Sequence, residues 1–190
     1  MTTQSLKLGK DAGWLEEVRR VLSPNHDERP DPEDISLLVI HGISLPPGIF
    51  GGNHIDQLFT NTLDPAAHPC FADIAGDRVS AHVLINRDGG LTQYVPFQRR
   101  AWHAGVSVFR GRQCCNDYSI GIELEGCDDK PYTDVQYRNL AALTRILMSQ
   151  WPGITMENIV GHCDIAPGRK TDPGPEFNWD YYFSLLENQN

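Results

Sequence analysis

Between Gly161 and Gly174 the chain reads GHCDIAPGRKTDPG, which packs two candidate metal ligands, a lysine and two Pro-Gly turns into one loop. His162 follows the short apolar run 158–161, so it is expected where a buried strand ends and a site opens. Lys170 and Asp172 are two residues apart and point the same way in an extended loop. A cation beside a metal ligand is repelled by the metal. Its placement is best understood if Lys170 meets negative charge that appears on a substrate during reaction.

A catalytic zinc takes three protein ligands and one water. His41 ends a second apolar run, residues 35–41 (ISLLVIH), and Asp172 lies in the loop beyond His162. Neighbouring strands would bring His41, His162 and Asp172 together and leave one coordination position open. Zinc lowers the pKa of its water to about 7. Glu123, in the run SIGIELE, is placed to take the proton from that water, and Lys170 to stabilise the resulting oxyanion. Together these roles describe metal-assisted hydrolysis of an amide. Each residue also has a plainer reading. His41 can be a hydrogen-bonded core histidine, Asp172 the start of a turn, and Glu123 a solvated strand residue. Asp164, two residues from His162, competes with Asp172 as a ligand.

The elements that must position these groups are legible in outline. Residues 35–41 suit a central strand buried on both faces, bounded by Asp31-Pro32 and by the Pro46-Pro47-Gly48 and Gly51-Gly52 turns. Residues 79–86 read as a strand that turns at 87–90 and returns over 91–95 as a hairpin. Residues 119–125 alternate, with Ile120, Ile122 and Leu124 on one face and Ser119, Gly121, Glu123 and Glu125 on a polar one. The strongest helix spans 134–151. Thr133 and Gln136 form its capping box, Tyr137, Leu140, Ala141, Thr144, Leu147, Met148 and Trp151 its apolar stripe, and Pro152-Gly153 its stop. Shorter helices are expected over 55–61, over 179–186 with Asn178 as N-cap, and over 13–22. No repeat or linker divides the chain. The expectation is one α/β domain over residues 1–190, with a central mixed β-sheet flanked by helices.

Composition narrows the classes. At 190 residues the chain can build a good core, and 40% apolar with 22% charged residues is ordinary for a soluble globular protein. A net charge of −9 argues against a nucleic-acid partner. No apolar run is long enough to span a bilayer. The opening residues MTTQSLKLGKDAGWLEEVRR hold no apolar signal region, which points to the cytoplasm. The five cysteines (Cys70, Cys114, Cys115, Cys127, Cys163) are then expected as free thiols. Strand parity would turn Cys163 away from the metal and towards the core.

The set SLLVIHG, SAHVLINRDG, RAWHAG, CNDYSIGIELEG and GHCDIAPGRKTDPGP, spread over residues 14–179, resembles the zinc-dependent N-acetylmuramoyl-L-alanine amidases. Within them it looks most like the cytoplasmic AmpD type, the 1,6-anhydro-N-acetylmuramyl-L-alanine amidases of cell-wall recycling. The resemblance implies a fold like that of peptidoglycan recognition proteins. It implies His41, His162 and Asp172 as zinc ligands and Glu123 with Lys170 as the catalytic pair, leaving Glu125 a neighbour. By the same resemblance Arg78 contacts the anionic substrate and Trp102 lines the sugar site. His82 and His103 either line the site or pack in the core, and Asn116-Asp117 orders the loop before the Glu123 strand. The implied substrates are anhydromuropeptides, cut by a monomer.

Two positions depart from the pattern. Gly42 follows His41 where many relatives read HN, and Cys114 stands where some carry a basic residue, with Arg112 as a candidate replacement. Two other classes compete with the hydrolase. A peptidoglycan-fragment receptor typically loses a zinc ligand, and here all three are kept. A cysteine hydrolase using Cys163 or Cys114 would respond to alkylation rather than to chelator.

Overall fold

The computed structural model describes residues 6–188. In chain order it contains β1 (Arg19–Arg20), β2 (His26–Asp27), β3 (Leu37–Ile43), α1 (His54–Phe59), β4 (Val83–Ile85), β5 (Leu91–Gln93), β6 (Arg100–Ala101), β7 (Val108–Phe109) and β8 (Arg112–Gln113). Then come β9 (Ser119–Glu125), α2 (Asp134–Gln150), β10 (Ile159–Gly161), α3 (His162–Ile165) and α4 (Trp179–Glu187). A six-stranded sheet runs in the order β1-β5-β4-β9-β3-β10. Only the β4–β5 hairpin is antiparallel; the other pairs are parallel. This is the expected mixed α/β sheet.

Register explains how the sheet divides its faces. Leu38 and Ile40 of β3 share one face with Ile120, Ile122 and Leu124 of β9, and pack against Leu140 and Leu147 of α2 and Tyr182 and Leu186 of α4. The capping box forms as the spacing predicts: the Gln136 N–H donates to Thr133 Oγ1 and the Thr133 N–H to Gln136 Oε1. Asn178 caps α4 by accepting the Tyr181 N–H. On the opposite face, Leu37 and Val39 pack with Ala104, Cys115, Tyr118 and Ile165. Further along that face Leu84 packs with Ile55, Leu58 and Phe59 of α1.

Several boundaries differ from the sequence reading. Strand β3 continues past His41 to Ile43, so His41 lies within the strand rather than at its end. The hairpin strands are short, Val83–Ile85 and Leu91–Gln93. All of β9 is buried, including Ser119, Gly121, Glu123 and Glu125, so its polar face is covered rather than solvated.

Residues 13–22 form no helix. Leu15 pairs with Leu8 in an isolated bridge, β1 joins the sheet edge, and Glu17 has φ 55°. The physical reason is tertiary. The Leu15 N–H is taken by the Gln93 side chain at 2.8 Å and the Leu15 side chain is fully buried, which fixes an extended path where local propensity suggests a helix.

Candidate active site

His41 of β3 and Glu123 of β9 are directly paired in the sheet, and Leu84 of β4 faces Glu123 from the other side. Paired residues of a parallel sheet project from the same face, so both groups enter one cleft of about 240 Å³. His162 is the first residue of α3, directly after β10, so a helical turn and not a strand end aims its ring. Asp172 and Lys170 come from the loop beyond and line the same cleft, as do the apolar side chains of Leu45, Leu58, Phe59 and Ile74.

Three ligand-capable atoms converge. His41 Nδ1 lies 3.0 Å from His162 Nδ1 and 3.2 Å from Asp172 Oδ2, and His162 Nδ1 lies 3.1 Å from Asp172 Oδ2. Among the described residues this is the one cluster of His, Cys, Asp or Glu groups tight enough to hold a metal ion. A tetrahedral zinc with N and O ligands at about 2.0–2.1 Å requires edges of about 3.3 Å between them. The triangle is therefore close to the size zinc needs. The outer ring nitrogens are also held. His162 Nε2 is 3.3 Å from the Ala104 carbonyl, and His41 Nε2 is 2.9 Å from His103 Nδ1. Such contacts orient metal-binding imidazoles. The backbone ties the ligand segments together, because the Cys163 N–H donates to the Asp172 carbonyl at 2.9 Å.

Charge states suit a cation. Burial brings the His41 imidazole down to about 4 despite the opposing pull of Asp172, so it is neutral and able to ligate. Burial alone would raise the Asp172 carboxyl. Its hydrogen bonds with His162 and His41 outweigh that and hold it well below the usual carboxylate range. Glu123 behaves oppositely. Burial first, then the charge of Asp172, push it well above the ordinary glutamate value, while Lys170 pulls it back. Its Oε2 is buried without a hydrogen-bond partner among the described residues. A raised carboxyl aimed into a cleft is the usual form of a group that exchanges protons with substrate or water. Lys170 is exposed, and its ammonium has no hydrogen-bond or ion-pair partner among the described residues.

Competing readings separate cleanly. Asp164 is exposed and its Oδ2 accepts the Gly161 N–H at 2.7 Å, so it turns back on its own backbone. Glu125 accepts N–H groups of Gly51 and Arg87 and serves the loops. Cys163 sits in the α3 turn, so strand parity does not govern its direction. Burial and the charges of Asp164 and Asp172 push its thiol up, away from a thiolate. The five cysteines are free.

The two substrate-contact candidates do not line the cleft themselves. Arg78 is exposed between the lining residues Asp77 and Val79. Trp102 precedes the lining residue His103, and its indole N–H donates to Asp27 Oδ1 at 3.1 Å. Arg112 is already engaged, paired with Asp34 at 2.6 Å and stacked over Tyr118, so it is not a free replacement for a base at Cys114.

Asn116 orders the site loop, its Oδ1 accepting the N–H groups of His103 and Ala104. Asp117 pairs with Arg100 at 2.6 Å.

Three groups escaped the sequence reading. Tyr132 donates from its hydroxyl to the Pro173 carbonyl at 2.8 Å, bracing the residue after Asp172. It also fills the space a side chain on Gly42 would occupy. Arg29, buried and lowered to about 10 by that burial, donates to the carbonyls of Asn116, Asp117, Phe97 and Ser119. Arg169 donates to the Ala104 and Val106 carbonyls. Each acts on backbone carbonyls distant in sequence, which leaves no local pattern to read.

Comparison with known proteins places the chain among the amidases. The sequence model of the N-acetylmuramoyl-L-alanine amidase family matches residues 31–175. The chain is 63% identical over 176 residues to the 1,6-anhydro-N-acetylmuramyl-L-alanine amidase AmpD of Salmonella typhimurium strain SL1344, covering 93% of this chain and 94% of that protein. A crystal structure of a selenomethionine AmpD derivative superposes with a TM-score of 0.90 at 62% identity, covering 93% of this chain and 98% of that one. The Escherichia coli amidase AmiD, solved with its substrate anhydro-N-acetylmuramic acid-L-Ala-D-γ-Glu-L-Lys, superposes with a TM-score of 0.59 at 28% identity, over 96% of this chain and 66% of that one.

Proposed function

The chain belongs to the N-acetylmuramoyl-L-alanine amidase family, and we propose that it performs the family's hydrolysis with a zinc ion held by His41, His162 and Asp172. Its activity is proposed to be that of the 1,6-anhydro-N-acetylmuramyl-L-alanine amidases it is similar to. It cuts the amide between the lactyl group of anhydromuramic acid and L-alanine of the stem peptide, in the recycling of muropeptides. The products are a sugar carboxylic acid and a free peptide amine. The observation that carries the metal reading is the triangle of ligand atoms 3.0–3.2 Å apart, in one cleft with Glu123 and Lys170.

When bound, zinc supplies Lewis acidity that makes water nucleophilic at neutral pH and polarises the scissile carbonyl. Glu123 receives the proton of the attacking water on its buried carboxylate, then delivers it to the departing alanine nitrogen. Its raised affinity for protons serves both steps. Lys170, without a hydrogen-bond or ion-pair partner among the described residues, faces the oxygen that becomes negative in the tetrahedral intermediate. The apolar wall of Leu45, Leu58, Phe59 and Ile74 lowers water access and strengthens these charge interactions. Asp172 stays anionic and the imidazole of His41 neutral, the forms a divalent ion requires.

Arg78, exposed at the rim beside Asp77 and Val79, is proposed to meet the anionic part of the substrate. Trp102, half-buried, is proposed to act at the sugar site, with its indole N–H anchored on Asp27. The acidic net charge of −9 supports a small-molecule substrate rather than a nucleic acid. Among the described residues no helix is long and apolar enough to cross a membrane. A monomer of one amidase domain working in the cytoplasm completes the proposal.

Mass spectrometry of products from a purified anhydromuropeptide, with and without chelator, tests the reading. The expected result is release of the anhydro sugar acid and the intact peptide, lost with chelator and restored by zinc. Cleavage that survives full metal removal would refute the zinc assignment.

A further inference from the structure

His103 lies outside the ligand triangle, yet both of its ring nitrogens are engaged. Nδ1 is 2.9 Å from His41 Nε2, and Nε2 is 3.0 Å from Ser119 Oγ. All three side chains are buried. Strand β9 is shaped for this ring. Ser119, Gly121 and Glu123 are alternate residues on its site-facing side, and any Cβ on Gly121 would collide with the His103 imidazole. Asn116 holds the backbone N–H groups of His103 and Ala104, fixing where the ring enters. The same face of one strand thus carries a support, a clearance and the proposed base, two residues apart each time.

Hydrogen positions follow from valence. A neutral imidazole has one N–H and one lone pair. If the His41 Nδ1 lone pair is to reach a metal, His41 must carry its hydrogen on Nε2. His103 Nδ1 must then accept it, and His103 must carry its own hydrogen on Nε2, donating to Ser119 Oγ. Without a fixed acceptor at that point, His41 is free to adopt the other tautomer, whose Nδ1–H would donate to Asp172 Oδ2 at 3.2 Å and block the ligand position.

Resting on the zinc reading above, we propose that His103 is a positioning residue of the metal centre: its Nδ1 accepts the His41 Nε2–H and holds the His41 Nδ1 lone pair on the ion, with Ser119 bracing the far side of the ring. His103 touches neither ion nor substrate in this role.

The test compares wild type with His103→Leu and His103→Asn by chelator competition for zinc, with thermal melting of the metal-free proteins as the folding control. Loss of the acceptor in His103→Leu should weaken zinc binding roughly tenfold to a hundredfold. His103→Asn, whose amide oxygen can accept the same N–H, should stay within about threefold of wild type. A packing role alone would penalise both variants alike. Long-range 1H–15N spectra of the zinc-loaded wild type should show His41 and His103 each protonated on Nε2, a readout that does not depend on any variant folding. Wild-type zinc affinity in a folded His103→Leu, or a loaded His103 protonated on Nδ1, would overturn the proposal. Failure of the wild type itself to bind zinc would instead overturn the metal reading beneath it.

Discussion

His41 and Glu123 stand opposite each other on adjacent parallel strands, in a register fixed by seven paired positions from Leu37↔Ser119 to Ile43↔Glu125. The separation between a proposed metal ligand and the proposed base is therefore set by the register of the sheet. His162 arrives from β10, the strand on the other side of β3. Only Asp172 and Lys170 depend on a loop, and that loop is tied back by the Cys163 N–H to Asp172 carbonyl bond and by Tyr132 on Pro173.

Glu123→Gln should retain zinc and lose turnover by roughly two to four decades, because the amide neither takes nor returns the proton. Metal content by mass spectrometry and steady-state kinetics read the two effects separately. Near-wild-type kcat would remove Glu123 from the mechanism.

The same substitution should stabilise the metal-free protein at neutral pH. Burial, then the Asp172 charge, raise the Glu123 carboxyl in the folded state above its unfolded value. Stability from this group is complete at low pH, where both states are protonated, and falls as pH rises from the unfolded value through the raised folded one. Glu123→Gln cannot ionise. Its Tm should exceed that of wild type at about pH 7 and converge with it towards about pH 4. A gap that widens on acidification would contradict the assigned direction.

His162→Ala should lose zinc and activity together, and chelator should reproduce both losses in the wild type. Removing one of three ligands leaves an open, weak site. A fully metallated, active His162→Ala protein would refute the ligand set.

Lys170→Ala should lower kcat by about two to three decades with a smaller change in KM, since its charge is used when the oxyanion forms. It should also shift the acid limb of kcat/KM to higher pH, because Lys170 pulls the Glu123 carboxyl down. An unchanged kcat would sink the oxyanion role.

Gly42→Ala should destabilise the fold by about 1–3 kcal/mol through overpacking. The added methyl collides with the Tyr132 hydroxyl, which braces Pro173 beside Asp172. Weaker zinc binding should accompany the lower Tm. Equal Tm and equal zinc affinity would show that Tyr132 can move away at no cost.

Much of the scaffold was legible along the chain. The capping box at Thr133 and the apolar stripe of α2 are local periodic signals, and the run SIGIELE marks β9 to the residue. The loop 161–174 offered candidate ligands and a cation by residue type, the family resemblance assigned their roles, and the structure gathers His41, His162, Asp172, Glu123 and Lys170 in one cleft. Tertiary contacts decided the rest. Alternation in β9 separates two faces but cannot say that both are covered, so a solvated Glu123 stayed open beside the catalytic one, and the buried strand closes it. Residues 13–22 suit a helix locally and become a sheet edge because Gln93 takes the Leu15 N–H. The sequence left His103 between lining the site and packing in the core; its proposed role exists only where β3, β9 and the loop held by Asn116 meet. Short-range periodicity is written in neighbouring residues, whereas register, coverage and the direction of a buried hydrogen bond depend on groups tens of residues apart, and only the folded chain brings them together.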